Sequence, residues 1–128
     1  MNVERHVLLA DDDMDDQMLF KEAFNSCNTG MSLKTVNDGG AVVRYITTSE
    51  HHPSLIVLDY NMPFLSGADV LVTLCQMGIN SVPIVMLSTS GHNSEECLRL
   101  GASAYFIKPE RIVDFQRMTK EILAFARS

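Results

Sequence analysis

The residues able to do chemistry in this chain are few in kind and fall in four places. Asp11, Asp12, Asp13, Asp15 and Asp16 crowd together near the start, and Asp59 ends an apolar run. Ser88-Thr89-Ser90 supplies hydroxyls, and Lys108 stands before a proline. Carboxylates brought close together raise one another's pKa and resist desolvation, so such a group demands a counter-charge. Mg²⁺ suits it: the ion takes one or two carboxylates plus phosphate oxygens and keeps several waters. A hydroxyl and an ammonium across the cleft would complete a set fitted to phosphoryl transfer, a reaction catalysed mainly by positioning and by neutralising charge on the equatorial oxygens.

These side chains are remote in sequence, so the fold must gather them. Val7 to Ala10, Leu55 to Leu58, Val82 to Leu87 and Tyr105 to Ile107 are short continuous apolar runs, as in strands buried on both faces. Leu33 to Val36 alternates as a half-exposed edge strand would. Between them the spacing predicts helices over Met14 to Cys27, Gly40 to Ile46, Gly67 to Met77 and Ser94 to Leu100. A last helix over Ile112 to Ala126 puts Ile112, Phe115, Met118, Ile122 and Phe125 on one broad face. Five β/α units imply an α/β fold, a doubly wound parallel sheet with right-handed crossovers and helices on both faces. In such a sheet the crevice lies beyond the carboxyl ends of the strands. The apolar runs end at Asp11-Asp12, Asp59, Ser88 and Lys108, which would therefore share one rim. The triplet Asp11-Asp12-Asp13 leaves the register of the acidic pair open by one residue; Asp11 and Asp12 are favoured because they follow the strand directly. Ser88 is favoured among the hydroxyls because it follows Leu87.

VLLADD, IVLDYNMPFLSG, VMLSTS and YFIKP, in that order, resemble the four signatures of the receiver domain of response regulators in two-component systems. Asp59, Met62, Pro63 and Gly67 keep the family spacing. The resemblance covers essentially the whole chain and is to the chemotaxis-type, single-domain form. It implies a flavodoxin-like sheet in strand order 2-1-3-4-5 with five helices. It also implies roles: Asp59 as phosphoacceptor, Asp12 as direct ligand of Mg²⁺, Asp11 acting mainly through metal-bound water, and Asn61 giving its backbone carbonyl. Ser88 would bond one phosphoryl oxygen and Lys108 another, aimed by a cis Lys108-Pro109 peptide. Ser88 and Tyr105 would form the switch, and Asn61 and Ser90 would tune dephosphorylation. The implied donor is a sensor histidine kinase or a histidine phosphotransfer protein. The implied output is a separate effector bound through the fourth helix, fifth strand and fifth helix. The alternatives are a phosphate sink or a phosphorylation-independent interaction module. Ser88 lies twenty residues before Lys108, short for the family, so the fourth helix or its leading loop is where the chain should differ.

Bulk properties agree. The chain has 128 residues, 46% hydrophobic and 20% charged, which is globular composition for one domain, expected over 1–128 with no output domain. A net charge of −6 with scattered Lys and Arg argues against direct nucleic-acid or membrane-surface binding. Cys27, Cys75 and Cys97 are odd in number and widely spaced, so a reducing, cytoplasmic setting is expected, the cysteines acting as small buried hydrophobes.

Plainer readings stand beside these. Asp13, Asp15 and Asp16 would serve a helix N-terminus, Asp59 could form a turn, and Tyr105 could be ordinary core. His51 and His52 read as exposed loop residues. An EF-hand matches Asp11, Asp13, Asp15 and Glu22 at its first, third, fifth and twelfth places, but Asp16 stands where glycine must turn the loop. A phosphohydrolase with Asp59 as nucleophile needs a second acid two residues on, where this chain has Asn61. A phosphoacceptor rather than a turnover enzyme is therefore expected.

Overall fold

The computed structural model describes residues 5–127. Its elements alternate throughout: β1 (His6–Ala10), α1 (Met14–Cys27), β2 (Ser32–Val36), α2 (Gly39–Thr48), β3 (Leu55–Asp59), α3 (Gly67–Gln76), β4 (Ile84–Ser88), α4 (Ser94–Arg99), β5 (Ala104–Ile107) and α5 (Ile112–Leu123). The strands form one five-stranded sheet in the order β2-β1-β3-β4-β5, every neighbouring pair parallel. The expected doubly wound topology is the one observed.

Period-two alternation divides the core in two. Leu8, Ala10, Ile56, Leu58, Ile84 and Met86 face one side, packed with Val42, Leu71 and Leu74 of α2 and α3 and with Cys97 of α4. Val7, Leu9, Leu55, Val57, Val85 and Leu87 face the other, against Phe20 and Phe24 of α1 and Phe115, Met118 and Ile122 of α5. The starts of α1, α2 and α3 are set by short polar side chains. Asp13 caps α1 by accepting from the Asp15 and Asp16 backbone N–H groups, Asp38 caps α2 through Ala41 N–H, and Ser66 and Asp69 form a capping box on α3. The left-handed Asn28 ends α1.

Several expectations need correction. β4 begins at Ile84 rather than Val82, because Pro83 has no N–H to give the ladder, although Val82 remains buried. β5 is half-exposed rather than buried on both faces, since it lies at the sheet edge. Ile112 is 62% exposed and Phe125 39%, so the buried face of α5 is narrower than its periodicity suggests. Only Cys97 is fully buried; Cys27 is half-buried and Cys75 exposed. No cis peptide occurs among the described residues, so Lys108–Pro109 is trans, the lower-energy isomer. Side-chain contacts aim Lys108 instead.

Candidate functional site

Strand register puts the acids side by side. Ala10 pairs with Leu58, so the next residues, Asp11 and Asp59, emerge together at the carboxyl ends of β1 and β3. Asp11, Asp12 and Asp59 each offer a carboxylate oxygen, and the three oxygens lie within 4.8 Å of one another. Asp11 and Asp59 are buried and Asp12 is exposed, so one acid faces solvent where an ion would enter. Asp11 Oδ1 accepts from Asp13 N–H at 2.9 Å, and Asp59 Oδ1 from Asn61 N–H at 3.1 Å. Each of these bonds orients one carboxylate and leaves its second oxygen for other partners.

Lys108 follows β5 and reaches across the strand ends. Its backbone N–H donates to Ser88 O at 2.8 Å. Its Nζ lies 3.0 Å from Asp11 Oδ2, 2.8 Å from Asp16 Oδ2 and 3.3 Å from Asp59 Oδ2, with the side chain 9% exposed. Burial opposes the charge on this ammonium, but the Asp16 hydrogen bond and the charges of Asp11 and Asp59 prevail and hold its pKa above the ordinary value. Burial, followed by the charge of Asp11, pushes the Asp59 carboxyl up to about 7, against the pull of Lys108 and the Asn61 N–H. Asp11 is also raised, chiefly by burial. The site therefore carries more negative charge than one lysine offsets, and the donors are all oxygens. That set fits a hard divalent cation.

The hydroxyl side is built by β4. Ser88 is buried, and its Oγ accepts from Ser90 N–H at 3.3 Å. Tyr105 is half-buried and donates its hydroxyl to Ser90 O at 2.6 Å, tying β5 to the loop before α4. Asn61 is exposed in the loop after β3. In that loop Met62 is buried, Leu65 N–H donates to Pro63 O at 2.8 Å, and Phe64 between them has φ 70° and is 97% exposed. Gly67 closes the loop by donating to Tyr60 O at 2.9 Å. A Cβ there would lie 2.3 Å from Met86 Cε and 3.0 Å from Asp59 O and Tyr60 Cα, which gives the motif glycine its physical reason.

Two site residues escaped the sequence reading. Asp16, for which a solvated helix acid was the plainer of the readings, makes the shortest contact to Lys108. Gln17 is buried; its amide donates to Asp11 O and, at 2.9 Å, to Asn37 Oδ1, pinning the acidic loop to the turn before α2. Only the clustering of acids hinted at Asp16, and nothing in composition marked Gln17. A separate groove of about 610 Å³ lies between α1 and α5, lined by Cys27, Thr29, Arg117 and Lys120 among others, and none of the strand-end acids borders it.

A shallow rim of three acids, a hydroxyl and an ammonium at the strand ends of a 2-1-3-4-5 sheet is the arrangement of a receiver, and residues 7–121 match the response regulator receiver domain. The chain belongs to that family. It is 33% identical to the transcriptional regulatory protein PrrA of Mycobacterium tuberculosis over 119 residues, covering 91% of this chain and 49% of PrrA, so it spans about half the length of that relative. Among solved structures it resembles the Mn²⁺-bound response regulator Rcp1, with TM-score 0.85, 26% identity and coverage of 94% and 93%. It also resembles the phosphorylated cyanobacterial phytochrome response regulator RcpA, with TM-score 0.88, 25% identity and coverage of 97% and 94%. The chain is thus a signalling receiver of two-component systems. No helix among the described residues is long and apolar enough to cross a membrane.

Proposed function

We propose that the chain accepts a phosphoryl group on Asp59 from a sensor histidine kinase or histidine phosphotransfer protein, in a Mg²⁺-dependent reaction, and passes the signal on by protein–protein contact. The observation that carries this reading is the convergence of the Asp11, Asp12 and Asp59 oxygens within 4.8 Å, opposite the Lys108 ammonium. Mg²⁺ held by Asp11, Asp12, Asp59 and the Asn61 carbonyl would neutralise charge on the transferring group. A carboxylate oxygen of Asp59 forms the new P–O bond as the P–N bond of the donor histidine breaks. The leaving imidazole keeps the electron pair and is protonated from solvent. Lys108 pairs with one phosphoryl oxygen and Ser88 with another. The aspartyl phosphate is later lost to water, at a rate tuned by Asn61 and Ser90, without turnover of an external substrate.

Output follows from the bond network beyond Ser88. A Ser88 hydroxyl drawn to the phosphoryl group pulls on the loop that Tyr105 holds through Ser90 O, so both residues transmit the change to α4, β5 and α5. Leu98, Ile107, Ile112 and Val113 on those elements are about half exposed, apolar surface suited to an effector. A cytoplasmic setting is part of this reading, supported by three cysteines that are odd in number and widely spaced. Incubation with acetyl phosphate and Mg²⁺, followed by intact-mass measurement, should add about 80 Da. The increment should vanish with EDTA and with Asp59→Asn; a persistent increment in that variant removes Asp59 from the role.

A further inference from the structure

Asp16 lies in the first turn of α1, where an acid ordinarily serves the helix dipole and faces water. Here its side chain is only 26% exposed, and its Oδ2 takes the Lys108 ammonium at 2.8 Å, closer than either Asp11 or Asp59. The Asp16 backbone N–H is held by Asp13 Oδ1 at 3.2 Å, which fixes the turn that carries it. Of the three acids around Lys108, Asp16 is the one outside the group of Asp11, Asp12 and Asp59 whose oxygens converge.

That difference decides what happens when charge at the site changes. A divalent cation held by the convergent acids would repel the ammonium and compete for two of its three partners, Asp11 and Asp59. Lysine carries a strongly hydrated charge on a flexible stem, so an ammonium that lost those partners would leave for solvent. The Asp16 contact would remain, since Asp16 lies outside the convergent group. We propose that Asp16 is a positioning residue for Lys108: it keeps the ammonium at the rim while the metal and then the phosphoryl group arrive, so that Lys108 swings from Asp59 to a phosphoryl oxygen about a fixed pivot. This rests on the reading of Asp59 as phosphoacceptor.

The test is a double-mutant cycle on the full chain, comparing Asp16→Asn, Lys108→Met and the double variant for the rate of phosphoryl uptake from acetyl phosphate. Asp16→Asn should slow uptake about tenfold when Lys108 is present and less than about twofold when it is Met. Asp16→Glu should recover most of the lost rate. In parallel, the ¹⁵N signal of Lys108 Nζ with Mg²⁺ present should be protected from solvent exchange in the wild type and averaged in Asp16→Asn. Equal slowing in both backgrounds would mean that Asp16 acts on the helix rather than on Lys108, and would overturn the inference, as would no slowing. If the wild type takes up no phosphoryl group, the functional reading fails by itself. Loss of the Nζ protection in Asp16→Asn still supports the pivot in that case, and its retention overturns it.

Discussion

Without a metal at the site the protein should grow less stable as pH rises from mildly acidic to neutral. The Asp59 carboxyl stands at about 7 against an ordinary 3.8, through burial and the neighbouring Asp11 charge. Three pKa units correspond to on the order of 4 kcal/mol favouring the protonated folded state. The folded value lies above the unfolded one, so this contribution is fully present below about pH 4 and is lost as pH rises through about 7. Asp11 shifts in the same direction, and the two acids titrate as a pair. Asn at position 59 removes one charge and leaves Asp11 with Lys108. Urea unfolding followed by circular dichroism, in EDTA at pH 5 to 8, should show wild type losing about 3 kcal/mol relative to Asp59→Asn. Mg²⁺ at a hundred times its Kd should return about 2.7 kcal/mol to wild type at pH 8 and much less to the variant. Because the metal displaces a proton below pH 7, its apparent affinity should also fall by about tenfold per pH unit there. Parallel pH profiles for the two proteins would refute the claim that burial and Asp11 hold Asp59 protonated.

Gly67→Ala should cost about 2 kcal/mol in urea unfolding and weaken Mg²⁺ binding, because the added methyl presses on Met86 and on the Asp59 and Tyr60 backbone; unchanged metal affinity would contradict this. Phe20→Ala, emptying a side chain 1% exposed between α1 and the sheet, should cost about 3–5 kcal/mol. Tyr105→Phe removes the bond to Ser90 O and should cost about 1 kcal/mol. It should also speed amide exchange across residues 88–93, and unaltered exchange would show that the phenol does not hold that loop.

The fold and most of the site could be read from the chain because both follow from strand burial. β1, β3 and β4 are covered on two faces, so they are unbroken apolar runs, and the residues ending those runs must share one rim. Where burial is partial the reading blurs. β5 lies at the sheet edge, and α5 packs Phe115, Met118 and Ile122 into the core shared with α1 and the central strands while Ile112 stays in water, a distinction that helical spacing alone does not carry. Asp16 was illegible for another reason: an acid in a first helical turn is expected for the dipole, and only three-dimensional reach turns it toward Lys108. Gln17, a neutral side chain bonding a backbone carbonyl, leaves no mark in pattern or charge. The aim of Lys108 likewise comes from three carboxylates rather than from the isomer of its peptide bond.

Chemical trapping reads directly which carboxylate carries the phosphoryl group. Protein incubated with acetyl phosphate and Mg²⁺, reduced with borohydride and digested should yield a peptide carrying homoserine in place of Asp59, absent when EDTA replaces the metal. Homoserine at Asp11, Asp12 or Asp16, or none at any position while the protein remains folded, would show that Asp59 is not the phosphoacceptor.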